Sequence, residues 1–141
     1  MNQKKIFAAI ALISLIVGCC LAPVAYWLIT GNNIFDKQKS AQDIGVDLMV
    51  ALKSAGYEDA FALCDHSLQQ DLVNPENLRL EIELYHLQPQ TWKFDYAEVN
   101  DSRADFSGSV DFIGNQKGVF DLVLIKYKEG WRVAGFHLNP E

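Results

Sequence analysis

An uncharged run of twenty-four residues, from Ile6 to Ile29, is the feature that most constrains this chain. As an α-helix the run would be about 36 Å long at roughly 1.5 Å per residue, enough to cross the ~30 Å hydrocarbon core of a bilayer. A water-exposed helix of that length would need a polar face, and this run has none. The sequence therefore predicts a membrane anchor over residues 1–30, with the span at residues 6–29.

Two other interpretations of the N-terminus stay open. The stretch from Ile16 to Cys19 resembles a bacterial lipobox, which makes Cys19 a candidate for lipidation. Phe7 to Val17 has the length of the apolar part of a cleaved signal peptide. The anchor is favoured because the residues after Cys19 stay apolar as far as Ile29. Tyr26 and Trp27 lie near the far end of the run, and their rings suit the headgroup level of a membrane.

Charge next to the apolar run predicts the orientation of the protein. Lys4 and Lys5 are the charges nearest to the run, and positive charges favour the cytoplasmic side. We therefore expect a single-pass protein of the cell membrane with a cytoplasmic N-terminus. Residues 31–39 would be a linker, and residues 40–141 an extracytoplasmic domain.

The composition of residues 40–141 limits the partners of this domain. The segment has eight Lys and Arg against 17 Asp and Glu, a formal charge of −9, and its length suits one domain. Such an acidic domain would repel phosphates, so nucleic acid is excluded as a partner. The lipid bilayer is the expected partner of the anchor, and an unknown protein or a small apolar ligand that of the domain. Cys64 is the only cysteine of the segment, so no disulfide can form within it.

Helical periodicity runs through the first half of the domain. The spacing of apolar residues predicts a first helix over Ser40–Ala55, capped by Ser40 and stopped by Gly56. A second, short helix is predicted over Tyr57–Cys64. A third is predicted over Leu68–Val73, after a break at His66.

The segment after Asn74 carries two conflicting patterns. Asn74-Pro75-Glu76 is a strong helix start, with a capping residue, a proline at the first helical position and an acid in the first turn. The next apolar residues alternate with charged ones as in a strand. They are Leu78, Leu80, Ile82 and Leu84. The start signal and the helix-forming residues favour a helix.

The second half of the domain alternates in the manner of β-strands. Four strands are predicted, beginning near Trp92, Ser102, Val119 and Trp131. The alternation slips at Ala97, which predicts a bulge. Val119 to Lys128 is apolar on both faces and is predicted to be the most central strand. Helices followed by strands indicate an α+β fold of three to four helices packed on a curved, four-stranded antiparallel meander sheet.

Two stretches carry a resemblance to a known superfamily. Ala51 to Phe61 resembles the long helix, glycine, tyrosine and short helix that open nuclear-transport-factor-2-like (cystatin-like α+β) domains, and Gly130 to Phe136 resembles their closing strand. The plan of an anchor plus about 100 residues is similar to bacterial membrane-anchored members of unknown function. The resemblance implies a sheet curled around the first helix and an apolar cavity, where enzymes of the superfamily place an acid or a histidine. Unlike that pattern, this chain has no early strand between its second and third helices.

Six residues are candidates for the lining of a ligand pocket. They are Trp92, Phe94, Tyr96, Phe106, Asp121 and His137. The aromatic residues among them could equally be ordinary core. His137 has the parity of Trp131 and Val133 and so could enter a cavity.

Asp121 interrupts the most apolar strand, where an unpaired buried carboxylate would be costly. A salt bridge to Arg103 or Arg132 on a neighbouring strand is the alternative to a functional role.

The spacing of the three histidines and the lack of a convergent polar cluster bear on function. His66, His86 and His137 have no metal-binding spacing, so neither a metal nor a cofactor is expected. The sequence indicates a tethered, non-enzymatic interaction or ligand-binding domain. The alternative is an isomerase or dehydratase type of enzyme that uses Asp121 or His137 as its general base.

Overall fold

The computed structural model of the protein describes residues 41–141. The predicted anchor at residues 6–29, the linker at 31–39, the cap at Ser40 and the lipidation candidate Cys19 lie outside the described residues. Within residues 41–141, no helix has both the length and the apolar character needed to cross a bilayer.

Helices make up the first half of the described chain. They are α1 over residues 41–53, α2 Tyr57–Leu63, α3 His66–Leu72 and α4 Pro75–Leu84. The start signal at Asn74 is confirmed, because the Asn74 side chain accepts a hydrogen bond of 2.8 Å from the backbone N–H of Asn77. The predicted break at His66 is wrong. Asp65 caps α3, and the helix therefore begins at His66.

The end of α1 differs from the expected glycine stop. Ala55, not Gly56, takes the left-handed conformation, with φ of 56°. The N–H of Gly56 donates to the carbonyl of Ala51 at 2.8 Å, and the N–H of Ala55 to that of Leu52 at 3.2 Å. This pair of bonds is a Schellman motif with alanine in its left-handed position. Gly56 then serves as the N-cap residue of α2.

The conflicting pattern of α4 is resolved as a helix with two apolar faces. Residues two apart on a helix are separated by about 200°, so alternating leucines fall on opposite sides. Leu78 and Ile82 are buried against the core, whereas Leu80 and Leu84 face outward. The alternation is thus a second apolar stripe on a helix and not a strand signal.

The second half of the chain forms one antiparallel sheet in the order β1-β2-β3-β4. The strands are β1 Pro89–Val99, β2 Arg103–Phe112, β3 Lys117–Tyr127 and β4 Gly130–Pro140, with a short 3-10 turn, Ile113–Asn115, after β2. Consecutive strands pair throughout, which is a meander. The described residues thus have the predicted α+β order, with four helices and a four-stranded meander.

Bulges change which face of the sheet each side chain occupies. In β1 the register shifts between Phe94 and Tyr96, two residues before the predicted slip at Ala97. In β4 the partners of Val123 and Leu124 are Gly135 and Val133, so Ala134 is an extra residue. Each extra residue reverses the inward and outward parity of the residues beyond it in the strand.

The core lies between the helices and one face of the sheet. Phe106, Phe120 and Leu122 are fully buried there, and a Cβ on Gly45 of α1 would lie 3.2 Å from the Leu122 side chain. α1 therefore packs directly on the inner face of the sheet. The other face of β3 is not buried as expected, because Val119 is exposed and β3 has one wet side. β2 and β3 share the interior of the sheet.

Candidate functional site

Three of the aromatic pocket candidates belong to the core. The Phe94 ring meets Phe106 and Phe120 edge-on, with centroids 5.6 Å and 5.1 Å apart. Trp92 is half-buried and packs against the same cluster. α1 covers this face at Gly45, where a Cβ would lie 3.6 Å from the Phe94 ring. These rings therefore pack against protein. Tyr96 lies on the opposite, exposed face, since the bulge at Asp95 reverses its parity.

Asp121 lies on the water-facing side of the sheet. It is exposed, and its register partners on the neighbouring strands are Ser107 and His137. The predicted salt bridge to Arg103 or Arg132 is wrong. Arg103 binds Asp105 at 2.6 Å, which lowers the pKa of that carboxyl, and Arg132 donates to the carbonyl of Ala62 at 2.9 Å. An outward-facing carboxylate stays hydrated and needs no such partner.

His137 also faces outward, although its sequence parity with Val133 predicted the inner face. The extra residue Ala134 lies between them and turns His137 to the side of Asp121. The two residues of the enzymatic alternative are therefore neighbours, but on the exposed side of the sheet and away from the apolar core.

A convergent polar cluster that the sequence did not single out surrounds Asp65. Among residues 41–141, Asp65 is the one charged side chain that is buried, with 6 % of it exposed. Its Oδ1 accepts from the N–H of Leu68 at 2.8 Å, and its Oδ2 accepts from the Tyr127 hydroxyl at 3.0 Å. Its own N–H donates to the carbonyl of Val133 at 2.7 Å. One residue thus ties the start of α3 to both β3 and β4.

The polar side chains next to Asp65 donate hydrogen bonds to the end of α2. Gln69 donates to the carbonyl of Phe61 at 2.9 Å, and Arg132 to that of Ala62. These are carbonyls of the last turn of α2, where a cation and hydrogen-bond donors are favourable. The Gln69 and Arg132 side chains border a surface cavity of about 400 Å³. The donors are already used in holding the helix, so we regard this cluster as structural.

Cys64 gives a direct test of that interpretation. Burial, and secondly the Asp65 carboxylate, raise the pKa of its thiol to about 12. Since the thiolate is the reactive species, Cys64 should be alkylated at pH 8 at least about 100-fold more slowly in the native protein than after unfolding. Mass spectrometry of the Cys64 peptide after timed iodoacetamide exposure measures this. Equal rates in the two states would show an open, reactive thiol.

The same pKa sets the sign of the alkaline pH dependence. The thiol ionises near its ordinary value of 9.0 in the unfolded chain but only at about 12 in the folded one. The contribution to stability is therefore complete below pH 9 and is lost as the pH rises from about 9 to about 12. The pKa of Tyr57 is also raised, first by burial, and acts in the same direction.

Metal binding finds no geometric support in the described part of the chain. Within residues 41–141, no three His, Cys, Asp or Glu side chains are grouped closely enough to hold an ion. His66 begins α3, and His86 takes the left-handed position that ends α4, with φ of 56°. His66 is thus the first residue of one helix, and His86 lies just after the last residue of another.

The outward side of α4 is an apolar surface without cover from the described residues. Leu80, Leu84 and Tyr85 are 50 %, 71 % and 61 % exposed, and we name these three residues the α4 outer face. Arg79 on the flank of the helix pairs with Glu76 and Glu83. Three large apolar side chains on one helix and its cap are more than isolated surface residues and form a candidate contact site.

Comparison with known proteins adds the fold. No protein-family model and no curated protein matches the chain. The structure is similar to the crystal structure of a Campylobacter jejuni protein that carries the provisional name nuclear-transport-factor-2-like transpeptidase. The TM-score is 0.51, and the match covers 67 % of this chain and 96 % of that one. The fold is nuclear-transport-factor-2-like. At 13 % sequence identity the similarity extends to the fold alone.

Proposed function

We propose that the protein is a single-pass, membrane-tethered interaction domain that binds a partner protein outside the cytoplasmic membrane. The α4 outer face is the observation that carries this proposal. Burying one leucine side chain in a partner contributes about 1.5–3 kcal/mol. Leu80 and Leu84, one helical turn apart, would therefore supply a large part of the binding energy, as an apolar helix face does when it docks.

The structure around α1 bears on the alternatives of ligand binding and catalysis. The inner face of the sheet is filled by α1 at Gly45, which leaves Phe94 and Phe106 as core residues. Asp121 and His137 are exposed on the outer face of the sheet and do not enter an apolar cavity. A non-enzymatic domain that needs no cofactor agrees best with this arrangement.

The tether rests on the apolar run at residues 6–29 and on Lys4 and Lys5 before it. The full-length protein should stay with membranes through an alkaline carbonate wash and should keep Met1 or Asn2 as its terminus by mass spectrometry. Protease added outside the cytoplasmic membrane should cut the predicted linker at residues 31–39 and release the folded domain from the membrane. A mature protein that begins at a lipid-modified Cys19 would replace the anchor with the lipoprotein alternative, and a domain that stays attached to the membrane after protease treatment would reverse the orientation.

The binding surface is tested by the double substitution Leu80→Ser and Leu84→Ser. Both side chains are exposed, so the free energy of unfolding should change by less than about 0.5 kcal/mol per site. Extracted in mild detergent, the wild-type protein should migrate on a native gel as a complex, and the variant as the free protein. Val119→Ser, on the exposed side of the sheet, is the matched control and should keep the complex. A complex unchanged by the double substitution would contradict the proposal.

A further inference from the structure

The free side of β4 is a second surface with binding potential. β4 is an edge strand of the sheet, paired with β3 on one side. On its other side the described residues supply a single backbone contact, at Val133, through the isolated bridge with Cys64 and the bond from the N–H of Asp65. Beyond Val133 the strand thus has an edge that residues 41–141 leave open.

The hydrogen-bond pattern shows which groups point to the open edge. The N–H of Glu141 donates to the carbonyl of Lys117 at 2.9 Å, so this pair is a hydrogen-bonded one. Bonded and non-bonded pairs alternate along an antiparallel ladder. His137 and Asn139 therefore bond to β3, whereas Phe136 and Leu138 direct their N–H and C=O groups outward. Pro140, which has no N–H, falls on the outward side, where none is needed.

The two edges of the sheet differ in how they are protected. β1 carries Lys93, Asp95 and Glu98 and is bulged at Asp95, features that discourage the addition of another strand. From Val133 to Pro140, β4 has no formally charged residue. The β4 edge lacks the charge protection that the β1 edge has.

A cleft runs along the open edge. It has a volume of about 210 Å³ and lies between β4 and the α4 side that carries Leu78, Glu81 and Ile82. Its lining combines apolar side chains of α4 and β4 with the polar residues His137 and Asn139, and the Glu81 carboxylate borders it. The domain has a formal charge of −9, so the charge of the cleft and of its surroundings favours a basic occupant.

We propose that the β4 edge accepts an extended segment of a partner protein as a fifth strand, in which apolar residues alternate with Lys or Arg. The backbone of the segment pairs with Phe136 and Leu138, its apolar side chains enter the cleft, and a basic side chain reaches Glu81. This deepens the proposed function and rests on it, since it specifies the second contact by which the tethered domain would hold its partner.

Hydrogen exchange of the free full-length protein tests whether the edge is open. The amides of Phe136 and Leu138 should exchange at least about tenfold faster than those of His137 and Asn139, because only the latter bond to β3. Residue-resolved mass spectrometry after electron-transfer fragmentation measures the four rates. Equal protection of all four amides would mean that the edge is already covered, which would overturn the inference.

Binding is tested with an array of synthetic heptapeptides that alternate Val, Ile or Leu with Lys, Arg or Ser. Lysine-containing peptides should bind the full-length protein best. Glu81→Lys should weaken them at least about fivefold, whereas the matched change Glu129→Lys in the β3–β4 turn should not. N-methylation of alternate peptide residues should weaken binding about tenfold on one parity and leave it unchanged on the other, since only one set of N–H groups faces β4.

The outcomes separate this inference from the proposed function. Equal effects of Glu81→Lys and Glu129→Lys, or equal effects of N-methylation on both parities, would overturn strand addition. The native-gel result for Leu80 and Leu84 could still stand, because those side chains lie on the opposite side of α4 from the core. Conversely, alternating N-methyl effects together with a native complex that ignores Leu80 and Leu84 would leave the β4 edge as the binding site.

Discussion

Gly108→Ala should destabilise the domain by about 3 kcal/mol or more, a large fraction of the ~5–15 kcal/mol that holds such a domain together. A Cβ at Gly108 would lie 1.9 Å from the carbonyl oxygen of Lys93 and 2.8 Å from the Phe120 ring. The first contact is with backbone at the β1 bulge, which cannot move aside without breaking the pairing of β1 and β2. Glycine is required here because the bulged strand and an aromatic ring approach it closely.

The matched control is Gly135→Ala in β4. A Cβ there meets no atom within 4 Å, so stability should change by less than about 0.5 kcal/mol. Urea unfolding of the full-length protein in detergent, followed by tryptophan fluorescence, compares the two variants. Equal stabilities would show that β1 and β2 are not paired at Gly108 as described.

Asp65→Ala should cost about 3 kcal/mol, the second large effect. The substitution removes the cap of α3, worth about 1 kcal/mol, and the buried acceptor of the Tyr127 hydroxyl. It also leaves the N–H of Leu68 without its partner. The same urea unfolding experiment gives the change.

Two single-group variants divide this effect. Asp65→Asn keeps a side-chain oxygen for the N–H of Leu68 and should lose less than alanine. Tyr127→Phe removes only the hydroxyl and leaves the cap of α3 in place, so it should also lose less stability than Asp65→Ala. If Asp65→Ala were as stable as wild type, the buried carboxylate would have a role other than stability. The cavity beside it would then be a candidate functional site.

Local signals in the sequence were sufficient for much of the fold. The cap at Asn74 and the proline after it start α4 as predicted, since such signals act within one turn of helix. Helices before strands correctly indicated an α+β domain with a meander sheet. The outward stripe of α4 was also visible, because alternating leucines on a helix must expose one pair, but the alternation was interpreted only as a conflict between helix and strand.

The facing of the candidate site residues could not be predicted in the same way. A bulge is a property of two paired strands, and one extra residue at Ala134 sent His137 outward. The apolar residues around Asp121 suggest that both faces of β3 are buried, but only one face is. The hydrogen bond from Tyr127 to Asp65 joins residues that are 62 positions apart in the sequence, and no local pattern predicts such a contact. The aspartate could have been found as a helix cap, but its partner could not.

Site-specific cross-linking in cells tests the central claim most directly. A photo-reactive phenylalanine analogue is placed at Leu84 on the α4 outer face, and at Val119 on the exposed side of the sheet as the control. The full-length protein with the analogue at Leu84 should give one discrete cross-linked species, which Leu80→Ser abolishes, and the control should give none. No cross-link at Leu84, or equal cross-links at both positions, would contradict a partner protein bound at α4.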